Sequence, residues 1–250
     1  MIISHKYKFI FIKNRKTAGT SFEVFIKPFL GPSDIVTCIE ELDSSHNKKY
    51  NETCNNVYKF RQHMSISQVY NRLVLDLQIL TEEQFVTYHK FCFIRNPFDF
   101  YQSLYAYSCF KNPSLEKNKS FPKWVLEQTK DIQWPMVTID NFKNETQEDS
   151  APLINHAFLY EELIGSITEI CLYYKFDIPG LQDAKNKCEF IKSIFPHHLA
   201  QCKSALTTQP QYSTEAYKHI QQISKQMFRF GRYRNTLPQF PDHIPITKKK

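Results

Sequence analysis

The sequence predicts an α/β protein, a single-domain, three-layer sandwich around a central, mainly parallel sheet. Short β-prone runs occupy residues 7–12, 89–94 and 157–160, and a segment with helical features follows each of them. Strands that alternate with helices are typical of a sheet covered by helices. The chain has 250 residues, 42% of them hydrophobic. This is enough to bury the core of one domain of ordinary size.

The N-terminal segment predicts a buried strand, a polar loop and a helix. Its apolar run ends with residues 7–12, a polar turn follows over 14–19, and an apolar stretch occupies 22–29. A β-prone run that ends in polar residues before such a stretch indicates strand, loop and helix. Further along, we expect a short strand at 57–60 and helices at 65–77 and 81–88.

The β-prone run at residues 89–94 leads into a clear helix start. Arg95 follows the run, and then come Asn96 and Pro97. Asn is a preferred N-cap and Pro is preferred at the first helical position, so a helix is predicted from Pro97 to about residue 110. The remaining predicted elements are a short helix at 121–128, a strand at 157–160, a helix at 161–174 and an amphipathic helix at 214–228.

One domain is expected over residues 1–235. Within it, residues 111–150 are rich in Lys, Asn and Glu and contain Trp124 and Trp134. This stretch predicts a variable excursion, either solvated or placed beside an acceptor substrate. Residues 236–250 carry several prolines and end in three consecutive lysines, which is typical of a loose, basic tail.

The charge balance favours an anionic ligand. The chain has 32 Lys+Arg against 25 Asp+Glu, which gives a formal net charge of +7. This excess is compatible with nucleic acid, a phosphorylated nucleotide or an acidic glycan. A nucleic-acid partner is disfavoured, because the basic residues are spread along the chain and form no stripe interleaved with aromatic residues.

Cysteine usage and the N-terminal run indicate the cellular compartment that we expect for the protein. The seven cysteines are scattered without a CxxC pair, so neither a zinc site nor a disulfide framework is predicted. Lys6, Lys8 and Lys13 interrupt an apolar run that is too short for a signal-peptide core or a membrane span. We therefore expect no metal, no membrane span and a reducing, cytoplasmic setting; the sequence does not indicate an oligomeric state.

The loop after the first strand is a candidate anion site. A strand that runs through a tight loop into a helix leaves several backbone N–H groups unpaired and pointing at one place. Here Lys16 adds an ammonium group, Gly19 permits close approach, and the neighbouring Thr and Ser residues add hydroxyl donors. The loop is not a Walker A motif, because Lys16 precedes its single glycine. Taken alone, it also fits a solvated lysine and an ordinary turn.

Arg95 and Ser103 form a second candidate pair. Arg95 lies at the end of a predicted buried strand, and Ser103 follows eight residues later, two turns into the predicted helix. A guanidinium and a hydroxyl placed in this way can converge on a second phosphate. The spacing alone equally fits an arginine that pairs with a carboxylate to stabilise the turn, and a surface serine.

The order of these motifs resembles that of sulfotransferases that use 3′-phosphoadenosine 5′-phosphosulfate (PAPS), most closely the carbohydrate branch typified by heparan sulfate 2-O-sulfotransferase. The resemblance rests on the Lys-Thr-x-x-Thr-Ser loop after a strand and on the later Phe-Ile-Arg-Asn-Pro-Phe segment, with Ser103 downstream. It covers most of residues 7–110 and 156–233. Arg15 departs from the proline that commonly precedes the loop lysine, and Arg232 interrupts the usual C-terminal Phe-Gly-Tyr.

The resemblance implies a P-loop-NTPase-like sulfotransferase fold, PAPS as donor and no metal. It assigns the 3′-phosphate to Arg95 and Ser103, and it places Lys203 and Ser204 in a segment that closes over the nucleotide. The residues it implies for the 5′-phosphosulfate loop are Arg15, Lys16, Thr17, Ala18, Gly19, Thr20 and Ser21.

His63 is the candidate general base. Sulfonate transfer needs a group that takes the proton of the acceptor hydroxyl and a positive charge near the leaving oxygen. A loop histidine is by itself usually structural or exposed, but Arg-Gln-His-Met-Ser at residues 61–65 resembles the Gly-His-x-Ser segment that carries the base in the 2-O-sulfotransferase branch. Lys16 is the candidate for the positive charge.

The acceptor and two other functions stay open on the sequence. An anionic or carbohydrate acceptor is what the resemblance implies, and the lysines of residues 111–150 are compatible with it. An atypical nucleotide kinase would use the same loop, but it needs magnesium and an Asp at a strand end near the loop. A non-catalytic binding module for anionic glycans would keep the basic surface and need neither His63 nor an ordered donor site.

Overall fold

The computed structural model describes residues 1–38, 60–133, 154–176, 186 and 210–232. Within these residues five strands form one mixed sheet in the order β3-β1-β2-β4-β5. Strand β2 pairs in parallel with β4, and β4 pairs in parallel with β5, whereas β1 is antiparallel to both β2 and β3. All strands except β1 therefore point the same way. The strands are β1 Ile2–Ser4, β2 Phe9–Ile12, β3 Ile35–Val36, β4 His89–Ile94 and β5 His156–Leu159.

The helices of the described residues follow most of the predicted segments. The capping prediction at Asn96 is confirmed, because its side chain accepts a hydrogen bond of 3.0 Å from the Phe98 N–H. The helices are α1 Gly19–Ile26, α2 Ile66–Val69, α3 Glu82–Thr87, α4 Pro97–Lys111, α5 Ser114–Asn118, α6 Phe121–Leu126, α7 Leu163–Tyr173, α8 Thr214–Ile223 and α9 Lys225–Phe230. Short 3₁₀ turns follow α1 at Lys27–Phe29 and precede α7 at Tyr160–Glu162.

Three predicted elements differ in detail. The helix expected at 65–77 is α-helical only over its first turn and continues as a π-helix at Tyr70–Asp76. The helix expected at 214–228 is broken at Ser224. Of the strand expected at 57–60, only Phe60 is described, and it lies outside the sheet. Trp134 and the tail 236–250 lie outside the described residues.

The N-terminal run forms a hairpin, not the single buried strand that was predicted. Strands β1 and β2 pair antiparallel across a turn at residues 5–8, where Lys8 has a φ of 55°. The buried carboxylate of Asp34 holds this turn, because it accepts hydrogen bonds from the N–H groups of His5 at 2.7 Å and Lys6 at 3.1 Å. Asp34 lies far along the chain from this turn, and its carboxylate holds the turn that divides the apolar run into two strands.

The sheet has an aromatic face and an aliphatic face. Alternate residues of β2 and β4 put Phe9, Phe11, Phe91 and Phe93 on one side, where α1 and α7 cover them. Ile10, Ile12, Cys92 and Ile94 lie on the other side, under α2, α3 and Met227 of α9. Helices therefore cover both faces, as the predicted α/β class requires.

Beside the sheet, α4, α6, α8 and α9 share a third buried cluster that includes Phe98, Phe121 and Ile220. Helix α4 leaves the end of β4, so this cluster holds the start of α4 in place next to the strand ends. None of the helices in the described ranges is both long enough and apolar enough to cross a membrane.

Candidate functional site

The two predicted phosphate motifs begin at the carboxyl ends of the parallel strands β2 and β4. The loop 14–18 follows β2, Arg95 and Asn96 follow β4, and Tyr160 and Glu161 follow β5. Carboxyl ends of parallel strands open at the same edge of a sheet, which is where ligands bind in α/β proteins. The two predicted motifs therefore meet at one edge.

The loop after β2 has an unusual backbone. Lys16 and Ala18 adopt left-handed conformations with φ of 57° and 60°, which is uncommon for residues other than glycine. The Thr17 hydroxyl donates to the Asn14 carbonyl at 3.2 Å and closes the turn. Helix α1 then begins at Gly19, so its first N–H groups face out of the loop. Such an end is suited to an anion.

A buried cation lies beneath this loop. Lys13 is 1% exposed, and its Nζ is 2.6 Å from Glu23 Oε2 and 2.6 Å from Gln62 Oε1. Glu23 is fully buried in α1 and also accepts a hydrogen bond from the amino group of Met1. Lys13 therefore connects β2, α1 and the segment before His63. Sequence reasoning took Lys13 only as an interruption of an apolar run.

Lys13 also explains why the loop has a glycine at position 19. A Cβ at Gly19 would lie 2.7 Å from Lys13 Cγ, closer than any normal contact. The Lys13 side chain cannot retreat, because Glu23 and Gln62 hold its end. The close approach at Gly19 is thus to the buried lysine, whereas the sequence had suggested a close approach to a ligand.

His63 is held in one tautomer. Its Nδ1 is 2.9 Å from the carbonyl oxygen of Lys13. A carbonyl oxygen only accepts hydrogen bonds, so Nδ1 carries the proton and Nε2 keeps a lone pair. Burial lowers the pKa of His63 to about 3; the hydrogen bond to Lys13 opposes this shift, and the positive charges of Lys13, the N-terminus and Arg15 add to it. The ring is therefore neutral at pH 7.

Arg95 joins the second motif to the first. Its Nη1 donates to the Lys16 carbonyl at 3.1 Å, and its guanidinium carbon lies 4.1 Å from the centroid of the Tyr160 ring. Arg95 is 9% exposed, and its Nε is buried with no hydrogen-bond partner in the described part of the chain. A buried donor left without a partner costs about 1–3 kcal/mol, so this Nε is a candidate donor to a bound group.

The turn-stabilising alternative for Arg95 is not supported. No salt bridge within the described ranges involves Arg95. The carboxylate at this corner, Glu161, instead accepts a hydrogen bond of 2.7 Å from the Asn96 N–H. The guanidinium thus retains donor capacity for another anion.

Helix α4 faces the loop with Tyr107. The Lys16 Nζ lies 4.3 Å from the centroid of the Tyr107 ring, and the Lys111 Nζ lies 5.9 Å from it. Ser103 is half-buried and precedes Tyr107 by four residues, so the two lie on the same face of α4. This places Ser103 on the side of the helix that meets the loop.

Two predicted site residues, Lys203 and Ser204, lie outside the described residues. Among the residues that are described, no three His, Cys, Asp or Glu side chains come together as metal ligands would.

Comparisons with known proteins do not extend this description. The chain matches no protein-family model, and no curated protein or solved structure was found to match it significantly.

Replacing Gly19 with Ala should destabilise the protein by about 1–3 kcal/mol, because the new methyl group overlaps the pinned Lys13 side chain. Gly165→Ala is the matched control. Gly165 is an exposed residue of α7, and no other group lies within 4 Å of the place that its new methyl group would take, so this change should stabilise by about 0.5–1 kcal/mol. Urea denaturation of both variants measures the difference; equal effects would contradict the close packing of Lys13 under Gly19.

The partly buried, neutral His63 should make the protein less stable in mild acid. Its folded pKa of about 3 is below the ordinary value of 6.5, so between these values the unfolded chain binds more protons. The free energy of unfolding should therefore fall as the pH drops below 6.5, by at most about 1.4 kcal/mol per pH unit from this residue.

Urea denaturation of the wild type and of His63→Gln across this range tests the expectation. Glutamine can still donate to the Lys13 carbonyl but does not titrate, so the variant should lose less stability in acid. An NMR titration in which the His63 ring protonates near pH 6.5 would contradict the assignment.

Proposed function

We propose that this chain is a PAPS-dependent sulfotransferase that transfers a sulfonate group to a hydroxyl, preferentially on a carbohydrate or another anionic acceptor. The observation that carries the proposal is the hydrogen bond from Arg95 to the Lys16 carbonyl. This bond places the loop after β2 and Arg95 side by side at one edge of the sheet, where both can bind anions. PAPS carries a phosphosulfate and a separate 3′-phosphate, so it needs two neighbouring anion sites.

The donor-binding roles follow from the positions of these groups. The first N–H groups of α1 and the side chains of Lys16, Thr20 and Ser21 bind the 5′-phosphosulfate. Arg95, whose Nε has no hydrogen-bond partner among the described residues, and Ser103 bind the 3′-phosphate. We propose a P-loop-like sulfotransferase fold as well. It is supported by the succession of strand β2, loop and helix α1, and by the parallel pairing of β2 with β4.

The transfer uses His63 as base and Lys16 as the positive charge. The Nε2 lone pair of His63 takes the proton of the acceptor hydroxyl while the hydroxyl oxygen forms a bond to sulfur. The bond between sulfur and the 5′-phosphate oxygen breaks, and Lys16 neutralises the charge that develops on that oxygen. The products are a sulfate ester and 3′-phosphoadenosine 5′-phosphate, and His63 then releases its proton to water.

The acceptor side is proposed to lie along α4 beyond Tyr107. The ammonium groups of Lys16 and Lys111 both lie over the Tyr107 ring, so a second cation lies beside the proposed phosphosulfate loop. Two cations on one ring favour an acceptor that brings its own negative charge. Lys119 is less suitable, because its Nζ already pairs with Glu127 at 2.7 Å.

Donor binding without magnesium is the first test. In calorimetric titrations, the wild-type protein should bind 3′-phosphoadenosine 5′-phosphate more tightly than AMP and without added metal. His63→Gln should keep this affinity and lose transfer to acceptor hydroxyls, since it removes only the base. A preference for magnesium-ATP would favour a kinase instead, and substantial transfer by His63→Gln would remove His63 as base.

Arg95→Gln tests the 3′-phosphate site. It should weaken binding of 3′-phosphoadenosine 5′-phosphate by about 10- to 100-fold, the value of a charged hydrogen bond, and change AMP binding much less. Arg72→Gln is the control, because the Arg72 side chain is half exposed and pairs with Asp76 on the surface. Equal losses for both nucleotides would refute the assignment of Arg95 to the 3′-phosphate.

A further inference from the structure

The backbone of Arg95 is held by one side-chain amide. The Arg95 N–H donates to Gln133 Oε1 at 3.0 Å, and Gln133 Nε2 donates to the Arg95 carbonyl at 2.9 Å. The last pairing of β4 with β5 is at Ile94, and its last pairing with β2 is at Cys92. Arg95 therefore lies just beyond the ladder, and the amide of Gln133 supplies the two bonds that a neighbouring strand would otherwise make.

Gln133 is itself fixed. It is 1% exposed, and its N–H donates to the buried carboxylate of Asp131 at 2.6 Å. Ile132 packs against the cluster formed by α4, α6, α8 and α9. The segment 131–133 thus braces the corner between β4 and α4 from outside the sheet.

The position of the Arg95 side chain depends partly on the segment 131–133, because Gln133 fixes the backbone from which this side chain starts. Among the described residues its guanidinium contacts a backbone carbonyl and the face of Tyr160, and it pairs with no carboxylate. Neither contact fixes the guanidinium plane as a bidentate carboxylate would. Gln133 therefore fixes the backbone from which the Arg95 side chain starts, while the Lys16 carbonyl and the Tyr160 ring hold its guanidinium end.

We infer that Gln133 is a positioning residue, which aims Arg95 at the 3′-phosphate of the donor nucleotide. This inference rests on the proposed function. A displaced guanidinium can lose a charged hydrogen bond to the phosphate, which is worth about 10- to 100-fold in affinity, so a buried amide remote from the ligand can affect binding of one phosphate. Nothing in the local sequence marks Gln133, because its partner lies 38 residues earlier.

Two variants of Gln133 test the inference. Gln133→Met keeps the length of the side chain and removes both hydrogen bonds. Gln133→Glu is nearly isosteric and keeps an acceptor for the Arg95 N–H, but it places a carboxylate oxygen opposite the Arg95 carbonyl. Gln128→Met is the control, because Gln128 also donates to a backbone carbonyl, that of Trp124 at 3.0 Å, away from Arg95.

Calorimetry with 3′-phosphoadenosine 5′-phosphate and with AMP gives the readout. Both Gln133 variants should lose about 10-fold or more in affinity for the first nucleotide, as expected for a weakened charged hydrogen bond, and less than about 3-fold for AMP. In an Arg95→Gln background the Gln133 substitution should have no further effect on nucleotide binding, since it acts through Arg95.

The outcomes separate the two proposals. Equal losses for both nucleotides, or an undiminished effect in the Arg95→Gln background, would show a purely structural role and overturn the inference. Unchanged affinity in folded Gln133 variants would overturn it as well. If the wild-type protein itself does not prefer the 3′-phosphorylated nucleotide, the proposed function fails first.

Discussion

The candidate site depends on the buried ammonium group of Lys13. Removing a charge from water costs several kcal/mol, so this group is tolerated only with its partners Glu23 and Gln62 in place. Such pairs add little net stability compared with apolar residues, but the loss of one partner is strongly unfavourable. The bonds of Lys13 to Glu23 and Gln62 therefore require β2, α1 and the segment before His63 to meet at one place. The contact of the Lys13 side chain with Gly19 also fixes how closely the loop lies above it.

Elements with local signals were predictable from the sequence. Strand β4 matches its predicted range because its alternating buried residues fill both faces of the sheet, and α4 begins where Asn96 and Pro97 predicted. The hairpin of β1 and β2 was missed because the acceptor that holds its turn, Asp34, lies nearly thirty residues downstream. The break at Ser224 has no local glycine or proline to announce it.

The same distinction applies to the site. The placement of the loop 15–21 after β2 and of Arg95 after β4 was predictable because a strand, a polar turn and a helix start are local patterns. The sequence did not indicate the roles of Lys13 and Gln133, because Lys13 also bonds to Gln62 and Gln133 bonds to Arg95, and both of these partners are distant in sequence. A buried lysine and an exposed one look alike in a sequence, and only the position of Glu23 on the first helix distinguishes them.

The charges around His63 bear on the order of events under the proposed function. In the free protein, burial and the positive charges of Lys13, Arg15 and the N-terminus hold the pKa of His63 far below neutrality, so the imidazole is a weak base. A phosphosulfate on the adjoining loop brings negative charge, which favours the protonated ring and raises its pKa. Under the proposed function, His63 therefore becomes a stronger base when the donor binds. An acceptor hydroxyl that arrives first meets a histidine that cannot readily take its proton, whereas one that arrives second meets both the sulfonate group and a stronger base.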